Sequence, residues 1–252
     1  MSKLTSSYKN DNLIKIAKQQ YDQKQKKSIP SEIVTLTSKG QVYPIDSPLR
    51  SGTVEMRYMT AYDEDILTNA SYMKEGVTID KLLEALIVTP IDYKELAAVD
   101  KDGLILYARI LSYGSEYAVK VKDPKSGNSL DKVVNLSQLK TKTLDIESND
   151  QGEFLYEVPN LQLKFKFPTI ATVDAETISA YLSNIITEVN GKRQQSDIDH
   201  FIKYDFLIKD SKKFQDYIIK NTPSIILEQE FEGEDGSTFT STFPIGLDFF
   251  WL

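Results

Sequence analysis

The sequence predicts an α+β fold, a helical layer carrying antiparallel β-hairpins. Three observations predict it. Apolar residues recur at helical spacing across Ile66–Leu111. The period then drops to two in paired runs at Tyr117–Leu136, Phe154–Phe167 and Ile225–Phe243. Between paired runs stand turn-forming clusters, Asp123-Pro124-Lys125-Ser126-Gly127-Asn128 in the first and Glu232-Gly233-Glu234-Asp235-Gly236 in the last. With 252 residues and 40% hydrophobic content, the chain can bury one sizeable core or two small ones.

Each element follows from local pattern. Leu13–Lys27 reads as a polar helix with a thin apolar stripe of Leu13, Ile14, Ile16 and Ala17, either a frayed tail or an arm that orders on a partner. Glu32–Leu36 and Thr53–Tyr58 read as strands joined by a loop that Gly40, Pro44, Pro48 and Gly52 shape. Thr60 caps the next helix, with Asp63 three residues on and acids suited to the positive helix end. A second capped helix opens at Thr78-Ile79-Asp80-Lys81, and Pro90 stops it. Tyr93–Val99 makes one short turn or helix, and Asp102–Leu111 an apolar helix buried on several sides. Glu116–Lys122 pairs with Asp131–Leu136, and Phe154–Val158 with Leu161–Phe167 across Pro159-Asn160. Helices follow at Asp174–Ile186, with Asp174 as cap, at Asp197–Leu207 and at Ser211–Asn221; Ser224–Phe231 and Ser237–Phe243 close a third hairpin. Four segments result: a polar arm over 1–30, an α+β core over 31–145, a hairpin with helices over 146–222, and a final hairpin with an aromatic tail over 223–252.

Composition narrows the chemistry. A net charge of -7 and a pI near 5.0 argue against a general grip on nucleic acid or anionic lipid. No cysteine is present, so disulfides and thiolate metal sites are excluded. No apolar run reaches membrane-spanning length, and the polar, Lys-rich first 27 residues do not read as a signal peptide. Neither a P-loop nor a Gly-x-Ser-x-Gly elbow occurs. His200, the one histidine, has no obvious co-ligands and reads as a surface or packing residue. Asp63-Glu64-Asp65 reads as a helix-terminal charge cluster. No cofactor, metal or catalytic residue is expected, although 37 acidic residues leave a hydrolytic carboxylate pair beyond nomination.

Two places stand out as partner-binding. Ser38–Pro48 is a loop with a dense signature, in which Lys39, Gln41 and Tyr43 are the candidate contacts; alternatively Tyr43 and Pro44 lid the protein's own core. Phe249, Phe250 and Trp251 put large aromatics at the chain end, where termini are normally polar. They either tuck into this protein or plug a pocket on a partner.

Three stretches stand out in combination: Thr37-Ser38-Lys39-Gly40-Gln41-Val42-Tyr43-Pro44 with Val54–Ala61 and Asp63–Asn69; Lys74-Glu75-Gly76-Val77-Thr78-Ile79-Asp80-Lys81-Leu82-Leu83; and Phe243-Pro244 through Asp248-Phe249-Phe250-Trp251. Together they resemble one family, the baseplate hub assembly proteins of T-even-like contractile-tailed phages. The resemblance implies a non-enzymatic hub subunit or assembly factor. It would bind other hub or tail proteins in the host cytoplasm during assembly, and in the virion baseplate if it persists there. A hub-associated peptidoglycan hydrolase is the alternative. Many relatives carry Cys-x-x-Cys-Gly knuckles in two hairpin turns, where this chain has Asp123, Ser126, Glu232 and Asp235. The resemblance thus implies two degenerate zinc-ribbon-like hairpins, held by hydrogen bonds in place of metal.

Overall fold

The computed structural model describes residues 28–251. The polar helix expected at Leu13–Lys27 lies outside them. In chain order the elements are β1 (Ser31–Thr35), β2 (Thr53–Arg57), α1 (Ala61–Leu67), α2 (Ala70–Glu75), α3 (Thr78–Leu86), α4 (Lys101–Tyr113), β3 (Glu116–Lys122), β4 (Ser129–Asn135), β5 (Thr141–Lys142), β6 (Phe154–Val158), β7 (Leu161–Phe165), α5 (Ile178–Ile185), β8 (Ile186–Val189), α6 (Gln195–His200), α7 (Ile208–Asn221), β9 (Ser224–Ile225), β10 (Glu228–Glu232) and β11 (Thr238–Thr242). The fold is α+β with small antiparallel sheets, as the change of period predicts. The described residues form two compact units, 28–33 with Val54–Pro90, and Val34–Thr53 with 91–251.

In the first unit, Met56, Leu67, Leu82, Leu83 and Leu86 are buried. Val88 N–H donates to Glu55 O (2.8 Å), so the chain leaving α3 runs beside β2. Thr60 and Asp63 form the expected capping box at α1. Asp63 does more than compensate a helix end. It is fully buried and meets Arg57 through two bonds of 2.7 Å. Burial alone would raise its carboxyl, but Arg57 and Thr60 outweigh that and hold it below its usual range. Thr78 lies inside α3 rather than capping it; Val77 occupies the cap without a side-chain bond.

The second unit is centred on a three-stranded sheet ordered β6-β7-β8. Alternate residues Phe154, Tyr156, Leu163 and Phe165 turn inward. Phe165 meets Phe214 of α7 edge-on at 5.3 Å, and Tyr156 lies 5.1 Å from the same ring. Two expectations need correction here. The helix drawn from Asp174 starts at Ile178 with Thr177 as cap, and Ile186–Val189 is strand, not helix end. Pairing of Lys164 with Glu188 and Leu163 with Val189 explains the latter, because β-branched residues suit a third strand. Likewise the helix expected over Asp197–Leu207 is α6 followed by a π turn, Phe201–Asp205. Ser224–Phe231 is split: β9 pairs with β5, and only β10 pairs with β11.

The turns of the first and last hairpins bond to each other. Asp123 accepts from Lys125 N–H (2.8 Å) in its own turn and from Glu234 N–H (3.1 Å) in the other. Asn128 donates to Glu234 (3.0 Å), and Lys125 meets Asp235 at 2.9 Å. Among the described residues no group of three His, Cys, Asp or Glu is placed to hold a metal ion. The zinc-ribbon likeness therefore has no support at the level of a ligand set.

Arg193 fastens the sheet. It grips Glu153 at two points, both 2.9 Å, and Glu188 at 2.8 Å, while Lys164 meets Glu188 at 2.8 Å. Glu153 is held down to about 2, chiefly by Arg193. A carboxyl lowered on folding adds stability above its unfolded value of about 4.3 and loses it as pH falls through the folded one. The urea midpoint of the wild type is expected to drop between about pH 5 and pH 2, and Glu153→Gln to flatten that part of the curve.

Candidate functional site

The loop between β1 and β2 belongs to the second unit and is bonded to the rest of that unit along its path. Ser38 donates from its N–H (2.7 Å) and its hydroxyl (2.8 Å) to Asp100, just before α4. Tyr43 reaches the same carboxylate through its hydroxyl (2.7 Å), and that hydroxyl accepts from Ala97 N–H (3.1 Å). Asp100 is fully buried. Burial pushes its carboxyl up, and the donated hydrogen bonds oppose the shift. Burial and the neighbouring acid also push the Tyr43 phenol far above its usual range, so it stays a donor.

Glycine is obligatory where the loop closes. A side chain on Gly40 would meet Arg50 O at 2.5 Å, and one on Gly52 would meet Lys39 O at 2.7 Å; both residues have positive φ. Arg50 fills the loop mouth, donating to Tyr43 O (2.9 Å) and Ser148 Oγ (3.1 Å). Ser148 in turn donates to Gln41 O at 2.6 Å. This framework sets Lys39 at φ 52°, an unusual conformation for a residue with a Cβ. Lys39 and Gln41 both face solvent.

Lys39 helps to line a cleft of about 350 Å³. Gly103, Leu106, Tyr107 and Ile110 of α4 line it together with Leu136, Leu139 and Ile225. Gly103 costs α4 about 1 kcal/mol relative to alanine. A Cβ there would meet the Thr37 hydroxyl at 2.4 Å, so alanine would require that side chain to turn away.

The chain end packs on the same unit. Phe249 is 1% exposed and Phe250 2%. The Phe249 ring meets Tyr117 edge-on at 4.6 Å, and its carbonyl accepts from Arg109 Nε at 3.1 Å. Trp251 remains 44% exposed.

The six residues expected to bind a partner thus fall into two sets. Tyr43, Phe249 and Phe250 are internal struts, while Lys39, Gln41 and Trp251 are open to contact. Sequence reasoning missed Asp100 and Arg109. A lone arginine inside an apolar helix was the available signal for the second. It also passed over Tyr204, Leu207 and Ile208, which are 63%, 67% and 87% exposed around the π turn. His200 lies on that surface, 4.0 Å from Asp205.

Tyr43→Phe is expected to cost about 1–3 kcal/mol in denaturant unfolding, because it removes a donor from a buried carboxylate and an acceptor from Ala97 N–H. Ending the chain after Asp248 is expected to lower the melting temperature by on the order of 10 °C, since two buried phenylalanines contribute roughly 1.5–3 kcal/mol each.

No match is found among curated proteins or among solved structures. The family model described as "T4 bacteriophage base plate protein" matches residues 29–251. The chain therefore belongs to the T4 bacteriophage base plate protein family.

Proposed function

We propose that this chain is a non-enzymatic component of the baseplate hub, as subunit or assembly factor, and that it works by holding other tail proteins. The observation that carries the reading is the loop over residues 38–48. Its buried side is fixed by Asp100, Arg50 and Ser148, yet Lys39 and Gln41 are presented to water. A loop displayed so rigidly loses little conformational entropy on binding. The engagement of the buried acids supports a structural role: Asp63 is bonded to Arg57, Asp100 to Ser38 and Tyr43, and Glu153 and Glu188 to Arg193. No described helix is long and apolar enough to cross a membrane. Host cytoplasm during assembly is the setting this reading requires.

A Lys39→Glu, Gln41→Glu double variant is expected to melt within about 2 °C of wild type, since exposed substitutions are usually within ±0.5 kcal/mol. The same variant is expected to fail to complement baseplate assembly in infected cells. Normal baseplates with it would refute the role given to this loop. Mass spectrometry of purified virions beside assembly intermediates separates the two forms of the proposal: a subunit is present in both, an assembly factor in intermediates alone.

A further inference from the structure

A second pocket of the same unit has a chemistry that the loop does not share. It has a volume of about 280 Å³, below the range of drug-sized ligand sites but suited to one long side chain. Its apolar lining comes from Phe167, Pro168, Ile218 and Pro223, with Tyr181 and Asp102 supplying the polar groups. Asp102, in the first turn of α4, makes no hydrogen bond or ion pair among the described residues; the neighbouring Lys101 exerts only a field on it. Asp102 is exposed to solvent, and the protein around it pushes its carboxyl up. Tyr181 likewise makes no hydrogen bond with the described residues, and burial raises its phenol.

We propose that this pocket receives an arginine side chain from a partner tail protein. Both oxygens of Asp102 are available to a planar guanidinium, which pairs with a carboxylate at two points. The aromatic and proline walls suit its weakly hydrated faces and its methylene stem, better than they suit a compact, strongly hydrated ammonium. The inference rests on the reading that this chain acts through protein contacts, but it concerns a different surface from Lys39 and Gln41.

The test uses the isolated full chain and NMR titration with Nα-acetyl-arginine amide. Nα-acetyl-citrulline amide, nearly isosteric and uncharged, serves as the control. Arginine amide is expected to shift the backbone signals of Val99, Asp102, Tyr181 and Ser224. Citrulline amide is expected to bind about tenfold more weakly or less, the loss that one charge-assisted bond implies. Asp102→Asn, checked for an unchanged melting temperature, is expected to abolish the difference between the probes. Equal shifts with both probes in the wild type, or no shift with arginine amide up to its solubility limit, would overturn the proposal without any variant. Retained discrimination in the Asn variant would do the same. The measurement involves no assembly step, so its failure is distinct from failure of the hub reading.

Discussion

Asp100 is fully buried, burial pushes its carboxyl up, and no ion pair among the described residues faces it. Donated hydrogen bonds are its support, and those from Ser38 and Tyr43 come from one loop. Such a group imposes a strict condition, because removing one donor leaves part of the desolvation penalty unmet. The loop must therefore bring Ser38 and Tyr43 to one point at the start of α4. From Ser38 the chain turns at Lys39 and Gly40, both at positive φ, and the carbonyl of Arg50 lies where a Gly40 side chain would stand. The exposed Lys39 is thus a by-product of an internal constraint. What reaches the surface is fixed by what is buried beneath it.

That constraint separates what was readable in the sequence from what was not. Gly40, Pro44 and Gly52 announce a turn through their own backbone preferences. Asp100 does not announce its role, because it lies 57 residues from Tyr43 and is one of 37 acids. The same holds for Arg57 and Asp63: the capping box is local and legible, while the buried ion pair across it depends on α1 folding back toward β2. The helix read to Ile186 ended one residue too late, and β8 was hidden, for a different reason. Leu182, Ile185, Ile186 and Val189 satisfy a helical face and a short buried strand alike, and only the partner strand β7 decides between them. The Thr177 cap, three residues beyond Asp174, shows the weakness of cap signals when two good N-cap residues stand close together.

The paired hairpins raise a question of energetics. Isolated two-stranded ribbons are marginal in water, and a structural metal in such a setting contributes on the order of 10 kcal/mol. The contacts between the turns here are of a smaller class. Lys125 and Asp235 are more than half exposed, so water and salt screen that pair heavily. Asp123 is better placed, because its oxygens take backbone N–H groups from both turns, which holds its carboxyl below the usual range. These bonds fix the register of one turn on the other. They do not by themselves provide the stability that a bound metal would.

The larger contribution comes from the chain end. Tyr117 of β3 lies 5.9 Å from Phe243 and 4.6 Å from Phe249, so a ring on the first hairpin packs against both the exit of the last hairpin and the tail. Arg109 lies with its guanidinium 4.7 Å from the Tyr113 ring while donating to Phe249 O. A buried guanidinium among aromatic faces and a carbonyl is held by planar stacking and fixed donor geometry, properties that lysine lacks. The tail is thereby stapled to α4 and to β3 at once, which is the role of a cross-link built from apolar area. Because Phe249 and Phe250 are committed inward, the half-exposed Trp251 beside them projects from a rigid base. Apolar area that is both exposed and fixed in position is the form in which aromatic residues contribute most to an interface.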